Sequence, residues 1–302
     1  MSRGYFAFEG LEKELIHDLK GDYHQHGRLF IEKSENQKLI ETPWAQTILD
    51  PVLTQSIESI TKTAAFLKSV EGARRWFPYA YHLHRRTELI AEQIRNTSIP
   101  LIDYRGRLPH GPWGHWCLKS ENEVLYSVNG SHPLPWGEVL FNEDKNAPSR
   151  AYMKLWEIFT LHMDAPPPKA VTVDMGSSPG GWTYVLEKLG CKVYSMDRSP
   201  LRDDLMKSPL IEHAKKDVFK LEPKDLPDLE WFFSDVICYP DKLYPWICKW
   251  LEHPRCKNFV VTIKFQGTTD FDTLAKFQAL PDSRVIHLYN NKHELTWICQ
   301  RN

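Results

Sequence analysis

The stretch Asp174-Met-Gly-Ser-Ser-Pro-Gly-Gly-Trp182 decides the fold of the C-terminal half of this chain. The apolar residues 170–173 precede it, and the helix-like segment 182–189 follows it. A strand, a tight glycine turn and the start of a helix together form the usual cradle for a nucleotide-like cofactor. The stretch therefore predicts a cofactor loop at the carboxyl end of a strand.

The glycine spacing indicates which cofactor the loop holds. A dinucleotide loop reads Gly-x-Gly-x-x-Gly and brings a pyrophosphate onto the helix N-terminus. Here the acid Asp174 comes first and Gly176-x-x-Pro-Gly-Gly181 follows, which suits S-adenosylmethionine, because its amino-acid end is zwitterionic and carries no phosphate. Asp174 can accept from the ammonium group, and the glycines let the backbone approach the ligand. The predicted cofactor contacts in the loop are Asp174, Gly176, Ser178, Pro179, Gly180, Gly181 and Trp182, with a nicotinamide dinucleotide as the alternative ligand.

Composition narrows the class of protein. The 302 residues carry a net charge of -1, so any nucleic-acid binding must come from a local patch. The six cysteines are scattered without a Cys-x-x-Cys pair, which argues against a zinc ribbon or a disulfide scaffold and predicts no metal. No signal peptide and no run of about 20 apolar residues is visible. These features predict a cytoplasmic protein with no membrane partner; the oligomeric state is not indicated.

The pattern along the chain predicts two domains. The polar segment 142–148 suggests a boundary between an N-terminal α+β region, 1–140, and a C-terminal α/β domain, 141–302. In the second domain strands alternate with helices, which predicts a Rossmann-like, mostly parallel sheet. The segments 284–289 and 294–299 are joined by a short turn and must be antiparallel, as in class I methyltransferases. Predicted strands are 170–174, 192–196, 230–235 and 258–264, and predicted helices are 182–189, 243–252 and 271–280.

The N-terminal region contains a candidate RNA-binding stretch. Helices are predicted there at 10–19 and 51–70, and a strand at 122–127. Between residues 74 and 107, seven arginines face three acids, and aromatic side chains are interleaved with the arginines. RNA binding uses this combination through phosphate contacts and base stacking, although the aromatics could equally belong to a core. The candidate RNA-binding residues are Arg74, Arg75, Arg85 and Arg86, with Arg150 near the second domain.

Several charged residues are predicted to meet at one edge of the C-terminal sheet. In an open α/β sheet the ligand lies outside the carboxyl ends of the strands. Asp197 ends the second predicted strand, where a carboxylate can accept from both ribose hydroxyls. Asp235 and Lys264 end the next two strands, and Glu294 begins the reversed strand at the same edge. Lys154 lies in the helical segment 149–157 just before the sheet. Isolated charges after apolar strands are costly unless they are paired or functional.

Together with the cofactor loop, these residues resemble a known family. Lys154, Asp235, Lys264 and Glu294 resemble the Lys-Asp-Lys-Glu tetrad of FtsJ-type RNA ribose 2'-O-methyltransferases. The segments 147–157, 180–184, 193–197 and 288–297 further resemble the bacterial ribosomal RNA large subunit methyltransferase M family, and the resemblance covers residues 138–300.

The resemblance implies an activity and a role for each residue. The reaction would methylate the ribose of a cytidine in 23S ribosomal RNA, free or in a precursor particle, with S-adenosylmethionine as donor. Lys264 would be the base, Lys154 and Asp235 would tune and position it, and Glu294 would support the site. Asp217 would approach the adenine, where a helix cap is the alternative, and Asp235 would also border the cofactor.

The chain departs from the family in two places. The family carries an N-terminal RNA-binding module with a THUMP domain, which residues 1–137 match only loosely, and after Lys264 the chain reads Phe265-Gln266-Gly267. These departures put the identity of the RNA target in question more than the methylation chemistry. A transfer RNA or a messenger RNA cap is an alternative acceptor. A ribosome assembly factor built on a retired methyltransferase fold, and a nicotinamide dehydrogenase, are the alternative functions.

Overall fold

The computed structural model describes residues 2–33, 38–95, 97–253 and 256–301. Over these residues the chain forms two compact units, Met1–Asn142 and Glu143–Asn302. In the described part of the chain no helix is both long enough and apolar enough to cross a bilayer.

The N-terminal unit is built on a seven-stranded mixed sheet. Its strands are β1 (Ser2–Ala7), β2 (Tyr23–His26), β3 (Leu29–Glu32), β4 (Ala45–Ser56), β5 (Arg75–Pro78), β6 (Trp113–Ser120) and β7 (Glu123–Ser127). They lie in the order β2-β3-β1-β4-β7-β6-β5, and the pair β5 and β6 is parallel while the others are antiparallel. Three helices accompany the sheet: α1 (Glu12–Leu19), α2 (Ile60–Ser69) and α3 (His84–Ile94). This is the expected mixture of helices and strands.

The predicted helix over 51–70 is wrong in its first part. Residues 51–56 belong to β4, and Leu53 pairs with Tyr126 of β7. The helix begins at Ile60, and the side chain of Ser59 caps it by accepting from the Lys62 N–H at 3.2 Å. Pro51 suggests a helix start at this point, because proline is favoured in the first turn of a helix. Pairing with strands on both sides, which are distant in the sequence, decides the outcome instead.

The C-terminal unit contains the mostly parallel sheet. Its strands are β8 (Val171–Met175), β9 (Lys192–Asp197), β10 (Ile211–Lys215), β11 (Trp231–Ser234), β12 (Asn258–Lys264), β13 (Ser283–Ile286) and β14 (Glu294–Gln300). The order is β10-β9-β8-β11-β12-β14-β13, and β14 runs antiparallel to both of its neighbours. The helices are α4 (Tyr152–Glu157), α5 (Gly181–Lys188), α6 (Asp203–Met206), α7 (Pro240–Leu251) and α8 (Phe271–Gln278). The predicted parallel sheet with a reversed strand is confirmed.

The edge strand β10 escaped prediction. Among the described strands it pairs with β9 alone, with Ile211 opposite Val193, and its residues are partly or fully exposed. An edge strand needs no continuous apolar run, because one of its sides and parts of both faces remain in water. The sequence Ile-Glu-His-Ala-Lys therefore carries no clear strand pattern.

The central strands align their carboxyl ends because both faces of the sheet are buried. Val173, Phe232, Phe233 and Val260 are fully buried, and the ring of Trp250 on α7 lies 5.0 Å from that of Phe232. A slip of one residue would move each of these side chains to the opposite face, so burial holds the register. The residues that follow β8, β9, β11 and β12 therefore meet along one edge.

Glu157 connects α4 to the segment that leads into β14. Its carboxylate is buried and accepts the Tyr289 N–H at 2.9 and 3.0 Å. Burial raises the pKa of Glu157 to about 8, although hydrogen bonds from the backbone of Tyr289 and Asn290 act in the opposite direction. The helix that carries Lys154 is thereby joined to the turn that precedes Glu294, and this connection was not anticipated from the sequence.

The raised pKa of Glu157 predicts a pH-dependent contribution to stability. The folded chain keeps a proton that the unfolded chain releases above the ordinary carboxyl range, so the free energy of unfolding falls as pH rises toward about 8. Glu157→Gln removes this titration and keeps an acceptor oxygen. We expect the decline between pH 6 and 7.5 to be smaller in the variant than in the parent by about 1–2 kcal/mol, measured by urea unfolding. Glu252→Gln, at an exposed glutamate, is the control, and an identical pH slope in Glu157→Gln and the parent would contradict the prediction.

Candidate active site

Gly176 brings the cofactor loop against two neighbouring loops. Its φ of +79° is a conformation that side chains rarely adopt. A Cβ there would lie 3.1 Å from the Cα of Val236, which follows β11. Its N–H donates to the carbonyl of Met196 on β9 at 2.8 Å. Only glycine suits this position without a shift of the loop after β11.

The second half of the loop packs against the start of α4 and against α6. Gly180 has a φ of +116°, and a Cβ there would collide with Leu205 of α6. A Cβ on Gly181 would lie 2.5 Å from the Ser149 hydroxyl. The indole of Trp182 donates to the carbonyl of Ala151 at 3.0 Å. These residues hold the segment before Lys154 beside the loop.

Asp174 is a buried acid at the end of β8. Its carboxylate accepts the Thr183 hydroxyl of α5 at 2.6 Å. Burial raises its pKa to about 7, while the hydrogen bond from Thr183 opposes the shift. A carboxyl group with such a raised pKa is only partly ionised near neutral pH, and a cation bound beside it favours the ionised form.

Asp197 ties two loops together at the end of β9. One carboxylate oxygen accepts the Ser178 N–H at 3.0 Å, and the other accepts the Ser199 N–H at 2.8 Å. The sequence suggested a contact with ribose for this residue but gave no sign of these backbone bonds.

A cavity of about 570 Å³ opens between the loops. Every predicted cofactor contact lines it except Gly180, which lies in the loop but not on the cavity wall. Asp217 is on the wall, where it accepts the Phe219 N–H at 3.2 Å as a cap and pairs with Arg198 at 2.6 Å. The apolar side chains of Val218, Phe219, Val236 and Ile237 also line the wall, and they were not predicted from the sequence.

The four tetrad residues meet beside this cavity. Lys154 Nζ lies 2.6 Å from Glu294 Oε1 and 3.2 Å from Asp235 Oδ1. Lys264 Nζ lies 3.0 Å from the same Asp235 oxygen and donates to the Asp235 carbonyl at 2.6 Å. The order in space is therefore Glu294, Lys154, Asp235 and Lys264, with the Asp235 carboxylate shared by two ammonium groups.

The two lysines have different surroundings. The side chain of Lys154 is 8% exposed, whereas that of Lys264 is 20% exposed and lines the cavity. Burial disfavours the charge of Lys154, but Asp235 and Glu294 outweigh it and raise its pKa. Lys154 is therefore a permanent cation that faces the two acids, and Lys264 is the amine that a molecule in the cavity could reach.

The candidate RNA-binding arginines have mixed environments. Arg74 is exposed, and Arg86 is partly buried. Arg75 donates to the Ser98 carbonyl at 2.9 Å, Arg85 pairs with Glu88 of its own helix at 3.1 Å, and Arg150 pairs with Glu143 at 3.1 Å.

The aromatic residues near these arginines are divided between core and surface. Trp76 and Phe77 of β5 are buried, as the core alternative expects for this stretch. Tyr79 and Tyr81 are only partly buried, and their rings stack on each other at 5.8 Å.

Comparison with known proteins agrees with the geometry. Residues 147–277 match the FtsJ-like methyltransferase family. Ribosomal RNA large subunit methyltransferase M of Azoarcus sp. (strain BH72) is 29% identical over 180 residues, covering 54% of this chain and 49% of that protein. The same enzyme of Xylella fastidiosa (strain M12) is 28% identical, covering 68% of this chain and 65% of that protein. The chain thus spans about half the length of the Azoarcus relative.

Solved structures give only weak likenesses. A candidate hemolysin of Lactococcus lactis gives a TM-score of 0.42 at 16% identity, covering 53% of this chain and 90% of that one. A candidate ribosomal RNA methyltransferase of Plasmodium falciparum gives 0.38 at 16% identity, covering 51% and 97%. The assignment therefore rests on the sequence comparisons and on the site. The cofactor loop and three of the four tetrad residues, Lys154, Asp235 and Lys264, lie inside residues 147–277, the segment of the C-terminal unit that matches the FtsJ-like methyltransferase family.

Proposed function

We propose that this protein transfers a methyl group from S-adenosylmethionine to the 2'-hydroxyl of an RNA ribose. The observation that carries the proposal is Lys264, an amine on the cavity wall held by the carboxylate and the carbonyl of Asp235. Lys154 forms a further ion pair with Asp235, and Glu294 forms one with Lys154. A cofactor-binding protein without catalytic activity has no need of this arrangement.

The cavity wall suits the proposed cofactor. FtsJ-like methyltransferases use S-adenosylmethionine, which when bound supplies a methyl group on a sulfonium ion. Asp174 offers a buried carboxylate for the ammonium group. Asp197 offers its remaining lone pairs to the ribose hydroxyls, since each of its oxygens can accept more than one hydrogen bond. Val218 and Phe219, beside Asp217, offer an apolar surface for the adenine.

The tetrad prepares one group to accept a proton. Lys264, once it has lost its own proton, would take the proton of the 2'-hydroxyl. The bound cofactor would supply the methyl group, and the S–CH3 bond would break to leave a neutral thioether. Asp235 orients the Lys264 amine, and the retained charge of Lys154 partly offsets the two carboxylates of Asp235 and Glu294. The rest of the acceleration comes from holding the hydroxyl and the methyl carbon in line.

We propose a cytidine of large-subunit ribosomal RNA as the acceptor, because the relatives carry the name of ribosomal RNA large subunit methyltransferases. The N-terminal unit, as a THUMP-like module, would supply RNA affinity through the exposed Arg74 and the half-exposed Arg75 and Arg86. Incubation with labelled S-adenosylmethionine and ribosomal RNA from cells that lack the protein, followed by mapping of the label, tests the activity and the identity of the acceptor. Label confined to transfer RNA, or at a base atom, would refute the assignment.

Lys264→Ala is expected to remove the base. We predict a loss of at least about a hundredfold in single-turnover methylation of ribosomal RNA. Binding of S-adenosylmethionine, measured by calorimetry, should change little, because the predicted ammonium and ribose contacts are elsewhere. Lys276→Ala, on the exposed face of α8, is the control. Turnover close to that of the parent would remove Lys264 from the role of base.

Asp174 predicts a pH dependence of cofactor affinity. Its pKa of about 7 means that a proton must leave before the carboxylate can pair with the cofactor ammonium. The affinity for S-adenosylmethionine should therefore rise roughly eightfold from pH 6 to pH 7.5. Calorimetry across this range measures it, and Asp174→Asn should bind weakly with a flat profile. The same slope in parent and variant would place the titration on another group.

Asp197→Ala is expected to weaken cofactor binding about ten- to a hundredfold, because charged hydrogen bonds to the ribose are lost and two loops are released. Calorimetry with S-adenosylmethionine measures the change. Asp272→Ala, an exposed acid in the first turn of α8, serves as its counterpart. Unchanged affinity of Asp197→Ala would exclude this carboxylate from the cofactor site.

A further inference from the structure

A second depression, here called the rim groove, lies beside the cofactor cavity. It has a volume of about 620 Å³ and lies between the loop after β11 and helix α7. Its wall is formed by Phe219, Ile237, Cys238, Tyr239, Lys242, Pro245, Trp246, Lys249 and Gln266. The predicted cofactor contacts, the tetrad and the candidate arginines do not include any of these residues.

The rim groove exposes apolar and aromatic surface to water. Ile237 is 75% exposed and Tyr239 is 51% exposed, although each is large enough to gain from burial. Trp246 is 6% exposed, and its indole Nε1 is buried without a hydrogen-bond partner among the residues that the structure describes. Exposed apolar residues gathered around a depression mark a binding surface more often than isolated ones do.

The charge of the rim groove favours an anionic ligand. Lys242 and Lys249 line it, and no acid is among the described residues on its wall. Lys249 Nζ forms an ion pair with Glu222 Oε1 at 3.3 Å, and both side chains are substantially exposed. Aromatic surface next to lysines is the combination with which proteins hold single-stranded nucleic acid, through base stacking and phosphate contacts.

The rim groove is continuous with the proposed reaction centre. Phe219 and Ile237 belong to both the groove and the cofactor cavity. Ile237 and Tyr239 follow the tetrad acid Asp235 by two and four residues, and Gln266 follows Lys264 by two. A ribose whose hydroxyl reaches Lys264 therefore has its own base or the adjacent nucleotide beside the groove.

We propose that the rim groove binds a nucleobase of the RNA strand that contains the acceptor ribose. The base stacks on Tyr239 next to Ile237, and Lys242 contacts a neighbouring phosphate. This inference rests on the proposed function and assigns residues of the same site to substrate recognition. The groove thus holds the acceptor strand close to the reaction centre without touching the cofactor's amino-acid end.

Substitutions in the groove test the two contacts separately, with a short fluorescein-labelled single-stranded RNA of mixed sequence as the probe. Tyr239→Ala should weaken binding roughly ten- to a hundredfold, and Tyr239→Phe should retain it, because stacking needs the ring and not the hydroxyl. Lys242→Gln should lower the slope of log affinity against log salt by about one. Lys276→Gln is the matched control, and binding of S-adenosylmethionine should be unchanged in every variant.

The outcomes separate this inference from the proposed function. Tyr239-dependent RNA binding without methylation of ribosomal RNA would refute the activity and leave the groove assignment standing. Normal methylation, with Tyr239→Ala and Lys242→Gln both binding RNA as the parent does, would overturn the groove assignment alone. A shift in oligomeric state of Tyr239→Ala, detected by light scattering, would assign the groove to a second copy of the chain and also overturn it.

Discussion

The C-terminal unit depends on one shared carboxylate, that of Asp235, which contacts the ammonium groups of both Lys154 and Lys264. Removing charges from water is costly, and only close opposite charges with further hydrogen bonds offset that cost. Because Lys154 is largely buried, it requires both Asp235 and Glu294. Three strands and a helix must therefore converge at one point for any of these charges to be tolerated.

The sheet itself brings three of the four charges together. The ends of β11 and β12 and the start of the reversed β14 lie at one edge, where Lys264 pairs in register with Glu294. The fourth charge comes from α4, outside the sheet, whose position is held at one end by Trp182 and at the other by Glu157. The geometry of the tetrad is a consequence of strand register and of two hydrogen bonds from or to the backbone, those of Trp182 and Glu157.

Much of this site could be predicted from the sequence, because the ends of parallel strands share an edge. That reasoning placed Asp174, Asp197, Asp235 and Lys264 together, and the turn before β14 added Glu294. Lys154 was a candidate only as a charge in the helical segment just before the sheet, since periodicity cannot orient a helix against a sheet. The apolar wall at Phe219 and Ile237 was not predicted, because both residues lie in short connecting segments that show neither helical nor strand periodicity.

Other differences arise from contacts between residues distant in the sequence. Strand β4 replaced part of a predicted helix because β1 and β7 pair with it, and β10 was missed because an edge strand needs little apolar character. Glu157 has an apolar helical setting, and nothing local indicates that the backbone N–H groups of Tyr289 and Asn290 need an acceptor. The local sequence pattern predicts most of the helices and strands. The hydrogen-bond partners of buried polar groups depend on the tertiary structure and cannot be predicted from that pattern.

The two backbone bonds of Asp197 determine when the cofactor loop becomes ordered. Since Ser178 and Ser199 are already held by its carboxylate, the conformational entropy of both loops is lost during folding and not during binding. A ligand then enters a preorganised recess, and its binding energy is not diminished by the ordering of those segments. The recess between these two loops is therefore formed by the fold itself, before any ligand is bound.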